Sequence, residues 1–156
     1  MMNQTTNRLI LFDDEYFMRI ALQEAQKAYE AKEVPVGAVV VSKNRIIAKT
    51  HNQVERLKDA TAHAEMLALT AAFNHVGGKY LNDCALYVTL EPCLMCANAT
   101  FWAKLSKLVF ATSDPRLGYS RLGCSSVLHP KTKVHAGILE LECQNILQLF
   151  FAELRE

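Results

Sequence analysis

From Phe17 onward, apolar residues return at Ile20, Ala21, Ala25 and Ala28, a helical spacing that opens on the acidic run Asp13, Asp14 and Glu15. Carboxylates there suit the positive end of a helix dipole, and the helix is expected to run to about Lys32. The period then changes. "VPVGAVVVS" is short, β-branched and almost wholly apolar, and "RIIAKTH" follows across a turn at Lys43 and Asn44, so the two read as a hairpin whose first strand is buried on both faces. From His63 to about Phe73, the residues Met66, Leu67, Leu69, Ala72 and Phe73 predict a second helix, stopped by Gly77 and Gly78. "CALYVTL" reads as a third strand. Pro92 fits the first position of a third helix, "PCLMCANATFWAKL", because that position needs no backbone N–H donor. "KLVFAT" is a fourth strand. The stretch from Ser113 to Pro130 shows little periodicity, and "GILELECQNILQLFFAEL" is an amphipathic helix with Leu139, Cys143, Ile146, Leu147 and Phe150 inward. Helices alternating with buried strands predict an α/β fold, a sheet between helical layers.

At 156 residues, about half of them apolar, the chain suits one domain covering residues 1–156. A net charge of +1 excludes a strongly basic tail, so nucleic-acid binding would need local clustering. Such clusters exist. Lys43, Arg45, Lys49, Arg56 and Lys58 face Glu55 alone in one segment, and Lys104, Lys107, Arg116, Arg121, Lys131 and Lys133 face Asp114 alone in another. Both flank the motifs described next, and together they would make one basic face suited to phosphates. The amino-terminal sequence turns acidic too early for a signal peptide and no apolar run spans a bilayer, so a soluble, cytoplasmic protein is expected. In that setting the five cysteines, an odd number, point to metal, catalysis or core rather than disulfides.

Cys93 and Cys96 stand three apart in a first helical turn, so both sulfurs project from one face, and the helix start favours thiolates. CxxC alone also serves disulfide exchange or structural zinc. His63 opens another helix, and with the two cysteines it would give zinc one nitrogen and two sulfurs with a fourth position open, the pattern of a catalytic rather than a structural site. Glu65, two residues after His63, is placed to move protons beside the metal without binding it. Cys84 and Cys143 read as core residues and Cys124 as undecided. His51, His129 and His135 read as surface or supporting residues, with His51, at a strand end near the site, the most plausible exception.

The pairing of His-x-Glu with Pro-Cys-x-x-Cys resembles the zinc-dependent cytidine deaminase superfamily, and within it the bacterial tRNA adenosine deaminases. The likeness runs from about Asp14 to the end through "EVPVGAVVV", His51–Asn52, "TAHAEMLAL", "TLEPCLMCANA", "DPRLG" and a final helix with paired phenylalanines. It implies a three-layer α/β/α sandwich around a five-stranded mixed sheet, and a homodimer. It also implies one Zn2+ per chain on His63, Cys93 and Cys96, with Glu65 as the catalytic proton shuttle and Asn52 bonded to the base. Glu91 matches the family too and is expected to tie a loop through backbone hydrogen bonds. The implied reaction turns adenosine into inosine at the wobble position of a tRNA anticodon loop. Two departures stand out: Ala60 replaces a common proline, and Gly118 to Gly137 is short and lacks an Asn-His pair. Alternatives are deamination of a free base such as guanine or cytosine and a non-catalytic, zinc-stabilised RNA-binding module. A thiol oxidoreductase built on Cys93 and Cys96 leaves His63 and Glu65 without a role.

Overall fold

The computed structural model of the protein describes residues 12–123 and 126–156, so Cys124 lies outside the described residues. Helix α1 (Asp14–Glu30) starts where the acidic run predicts: the Asp13 carboxylate accepts the Tyr16 N–H at 2.9 Å, and Asp14 and Glu15 fill the first turn. It stops short of Lys32, which takes a positive φ of 62°. Strand β1 (Gly37–Ser42) begins three residues later than the apolar run that starts at Val34. Its first residue must be glycine, since a Cβ there would sit 1.9 Å from the Ala21 carbonyl oxygen of α1. Lys43 and Asn44, both at positive φ, make the two-residue turn into β2 (Arg45–His51), the geometry that matches strand twist.

After β2 come α2 (Val54–Leu57), a single turn that no apolar periodicity announces, and α3 (Ala64–Val76), closed by Gly77 in the left-handed conformation. Strand β3 (Cys84–Leu90), α4 (Leu94–Trp102) and β4 (Lys107–Thr112) follow. Pro92 is not the first residue of α4; Cys93 holds the N-cap position, and the Pro92 carbonyl instead accepts the Tyr119 N–H. A 3₁₀ turn at Tyr119–Leu122, strand β5 (Lys133–Ala136) and α5 (Glu140–Leu154) complete the described chain. All four residues of β5 are exposed, so hydrophobic alternation gave no sign of it.

The five strands lie in the order β2-β1-β3-β4-β5, with β1 antiparallel to both neighbours and β3, β4 and β5 parallel. Alternate residues feed two cores. Val39, Val41, Tyr87 and Val109 pack against Phe17, Met18 and Ala21 of α1 and Cys143 of α5. Ala38, Val40, Leu86, Val88 and Leu108 pack against Ala64, Ala68, Leu69 and Ala72 of α3. This is a three-layer α/β/α sandwich around a mixed sheet, as the resemblance implied. Cys84 and Cys143 are core residues, 2% and 0% exposed. The register sets where chemistry sits: Gly37 pairs with His51, Ala38 with Val88, and Leu90 with Thr112, so these strand ends share one sheet edge. The β1–β2 turn and the starts of β3, β4 and β5 share the opposite edge.

Candidate active site

Two helix starts converge at the first of these edges. His63 is the N-cap of α3 and Cys93 the N-cap of α4, yet neither side chain caps its helix. For α3 that role passes to Asn52, just beyond β2, whose Oδ1 accepts the Ala64 N–H at 2.7 Å. The imidazole is thereby left for other work. His63 Nδ1 lies 3.7 Å from Cys93 Sγ and 3.5 Å from Cys96 Sγ. A tetrahedral zinc with ordinary Zn–S and Zn–N lengths would hold nitrogen and sulfur about 3.5 Å apart, so the three donors are spaced as that ion requires. They are the one group of three or more candidate ligands within 4.8 Å of one another among the described residues.

Charge within this cluster is unevenly shared. Cys93 is lowered to about 4 by its hydrogen bond with Cys96 and then by that with His63, while the Cys96 thiol is pushed up by the same bond and by burial. His63 is raised, chiefly by its bond to Cys93, and burial raises Glu65. A second thiolate beside the first, next to a carboxylate that is 4% exposed, needs a cation to balance it. The donor set therefore fits zinc, with Glu65 against Cys96 and outside the ligand group.

The other histidines do not join the cluster. His51 Nδ1 is 3.9 Å from the buried Glu24 carboxylate of α1, His75 is exposed at the far end of α3, His129 Nδ1 accepts the Lys131 N–H, and His135 pairs with Asp14. Nor do the two basic segments form one face. Lys43, Arg45, Lys104, Lys107, Lys131 and Lys133 lie at the opposite sheet edge, because the β1–β2 turn and the starts of β4 and β5 are there. Of the basic residues in those segments, Arg116 borders the cleft, beside the segments' acidic residues Glu55 and Asp114.

Around the cluster opens a cleft of about 1400 Å³. Its floor includes His63, Glu65, Cys93 and Asn52, and its outer wall is the last turns of α5, with Phe150, Phe151 and Leu154. Two buried carboxylates brace the rim. Glu91 accepts the N–H groups of Asp114 at 3.0 Å and Ser120 at 2.9 Å, the loop-tying role expected of it. Glu33, which the sequence did not single out, accepts the N–H groups of Glu55 and Arg56 and so fixes α2. Its only sequence sign is a carboxylate placed ahead of an apolar strand, which is common on surfaces.

The sequence profile of the cytidine and deoxycytidylate deaminase zinc-binding region matches residues 12–112. A tRNA-specific adenosine deaminase of Aquifex aeolicus is 44% identical over 145 residues, covering 90% of this chain and 95% of that protein. The enzyme of the same name from Bacillus subtilis is 42% identical over 152 residues, covering 92% and 91%. A solved structure from work on A-to-I editing by tRNA:A34 deaminases at the wobble position of transfer RNA superimposes with a TM-score of 0.80 at 39% identity, covering 85% of this chain and 99% of that one.

Proposed function

The chain belongs to the cytidine and deoxycytidylate deaminase family, and from that membership we infer that it is a zinc-dependent hydrolase converting adenosine to inosine at the wobble position of a tRNA anticodon loop. The observation that carries the reading is the convergence of His63, Cys93 and Cys96 beside a buried Glu65 at the floor of an open cleft. At about 1400 Å³ the cleft exceeds the roughly 300–1,000 Å³ of ordinary small-molecule pockets, which suits an extruded base with its neighbouring nucleotides better than a free base.

His63, Cys93 and Cys96 hold one zinc per chain, which when bound supplies Lewis-acid activation of water. Glu65 accepts a proton from the attacking water as its oxygen adds to C6 of adenine. It hands that proton to N1, then carries the second proton to the exocyclic amine, which leaves as ammonia. Water and adenosine are thus consumed, and inosine and ammonia formed. Asn52 presents its amide N–H donors to the base, because its oxygen is committed to the Ala64 N–H. Residues 1–156 act as one domain.

A homodimer is the proposed assembly. Leu94, Met95 and Trp102 are exposed along one face of α4, Trp102 at 71%, and Leu117 and Leu122 are exposed on the loop that follows β4. Such a run of large apolar side chains marks an interaction face. The cytoplasm is the proposed compartment, since a reducing environment keeps Cys93 and Cys96 available as ligands.

Ammonia release from an anticodon stem-loop, measured beside free adenine, guanine, cytosine and their nucleosides, tests the substrate. Turnover of the stem-loop adenosine is expected, and turnover confined to free bases overturns the reading.

A further inference from the structure

The basic residues that the fold carries away from the cleft have no part in the chemistry above. Ser42 pairs with Arg45 and with Cys84, Ala85 with Lys107, and Lys107 with Lys133, which sets the β1–β2 turn and the starts of β3, β4 and β5 side by side. Lys43 and Arg45 stand at the first of these positions, Lys79 ahead of β3, Lys104 ahead of β4, and Lys131 and Lys133 at β5. With strands about 4.8 Å apart, the row is about 20 Å long.

All six cations are exposed, and none forms an ion pair among the described residues. Acidic groups near them are few. Asp83 is exposed in the row, while Asp13, Asp14 and Glu15 belong to the α1 layer, where Asp14 already holds Lys107 and His135. At the centre sits Tyr80, 43% exposed, with Lys104 Nζ 4.2 Å and Lys79 Nζ 5.2 Å from its ring centroid. Two ammonium groups on one ring lie within about a Debye length of each other and repel. An anion between them relieves that repulsion.

We propose that this edge is a second RNA-contact surface, which takes the phosphate backbone of the tRNA outside the anticodon stem-loop while that loop lies in the cleft; it rests on the tRNA reading above. Strands of six or seven residues separate the two edges by about 20 Å. Because the row lies at the end of the sheet opposite the cleft, the body of a whole tRNA is needed to touch both, and a short anticodon stem-loop seated in the cleft leaves the row free. The surface adds affinity without sequence preference, as phosphate contacts do.

The test replaces Lys79, Lys104 and Lys131 together by glutamine, which removes the charge and keeps an unbranched stem with a polar end. Dissociation constants are measured for whole tRNA and for the isolated stem-loop at about 50 and 200 mM salt. Loss of three phosphate contacts should flatten the log–log salt slope for whole tRNA by about 2.7, or about 40-fold less affinity lost across that salt range. Binding and deamination of the stem-loop should be unchanged. Equal salt slopes for wild type and variant on whole tRNA overturn the proposal, as does an equal loss on the stem-loop. Charge-dependent binding to phosphatidylserine vesicles in place of tRNA also overturns it. If wild type binds tRNA through this edge yet releases no ammonia from it, the surface stands and the deaminase reading fails.

Discussion

Replacing Gly118 by alanine adds one methyl group at the point where the rim loop crosses the metal cluster. The new Cβ would lie 2.4 Å from both Cδ and Oε1 of Glu91 and 2.6 Å from the Asp114 carbonyl oxygen. Glu91 cannot swing aside freely, since it is 3% exposed and its two oxygens hold the Asp114 and Ser120 N–H groups. Gly118 has an ordinary φ of −62°, so the effect comes from overpacking alone. Overpacking of this kind costs about 1–3 kcal/mol, which for a chain of this size lowers Tm by about 2–12 °C. Because Gly118 also bridges to Cys93, zinc should be held more weakly. Thermal unfolding, with zinc content on the same preparation, measures both. Glu91→Ala supplies the cross-check: it removes the clashing group and leaves the part-buried N–H donors of Asp114 and Ser120 without their acceptor, so the double variant should be less destabilised than the sum of the singles. Wild-type Tm in Gly118→Ala, or strict additivity in the double variant, would refute the packing argument.

Cys96→Ala should lose most of the metal, because a methyl group cannot replace a thiolate; full zinc content by elemental analysis would remove Cys96 from the ligand set. Asn52→Ala should cost about 0.5–2 kcal/mol through the lost acceptor for Ala64, whereas Asn52→Asp keeps the acceptor and should preserve Tm while lowering kcat/KM on the stem-loop. Asp14 is partly buried, which alone would raise its carboxyl, yet hydrogen bonds from Lys107, Tyr87 and His135 leave it below the usual range. A lowered carboxylate stabilises the fold above its unfolded pKa of about 3.9 and loses that contribution as pH falls through its folded value. Denaturation of Asp14→Asn should therefore differ from wild type by a constant amount above about pH 4 and converge with it in stronger acid; a gap that persists there contradicts the assignment.

Elements whose stabilisation is local were legible in the chain. Strands β2, β3 and β4 have the bounds that their apolar runs and turn residues gave, and Asp13 and Gly77 mark helix ends by their own chemistry. Elements held from a distance were not. Helix α2 depends on Glu33, about twenty residues earlier in the chain, and β5 is an exposed edge strand whose only signature is its pairing with β4. The site was legible as residue types: His63, Cys93 and Cys96 do meet, with Glu65 beside them. The basic segments show the limit of reading neighbours in sequence as neighbours in space, since strands of six or seven residues carry most of their charge to the far edge. Capping by Asn52 was equally hidden, because it links the end of β2 to the start of α3 across the loop that holds α2.

Single-turnover inosine formation by Glu65→Gln, with zinc measured on the same preparation, tests the central claim most directly. Glutamine keeps the shape of a side chain that is 4% exposed and outside the ligand group, so zinc and folding should remain near wild type. It cannot accept a proton from water, and general acid–base catalysis contributes a factor of about 10² to 10⁴. A residue that serves both proton transfers should fall in the upper part of that range. The expected result is full zinc with a rate on the anticodon stem-loop lower by about 10³–10⁴. A wild-type rate contradicts the proton-shuttle role, and loss of zinc together with activity makes Glu65 a ligand.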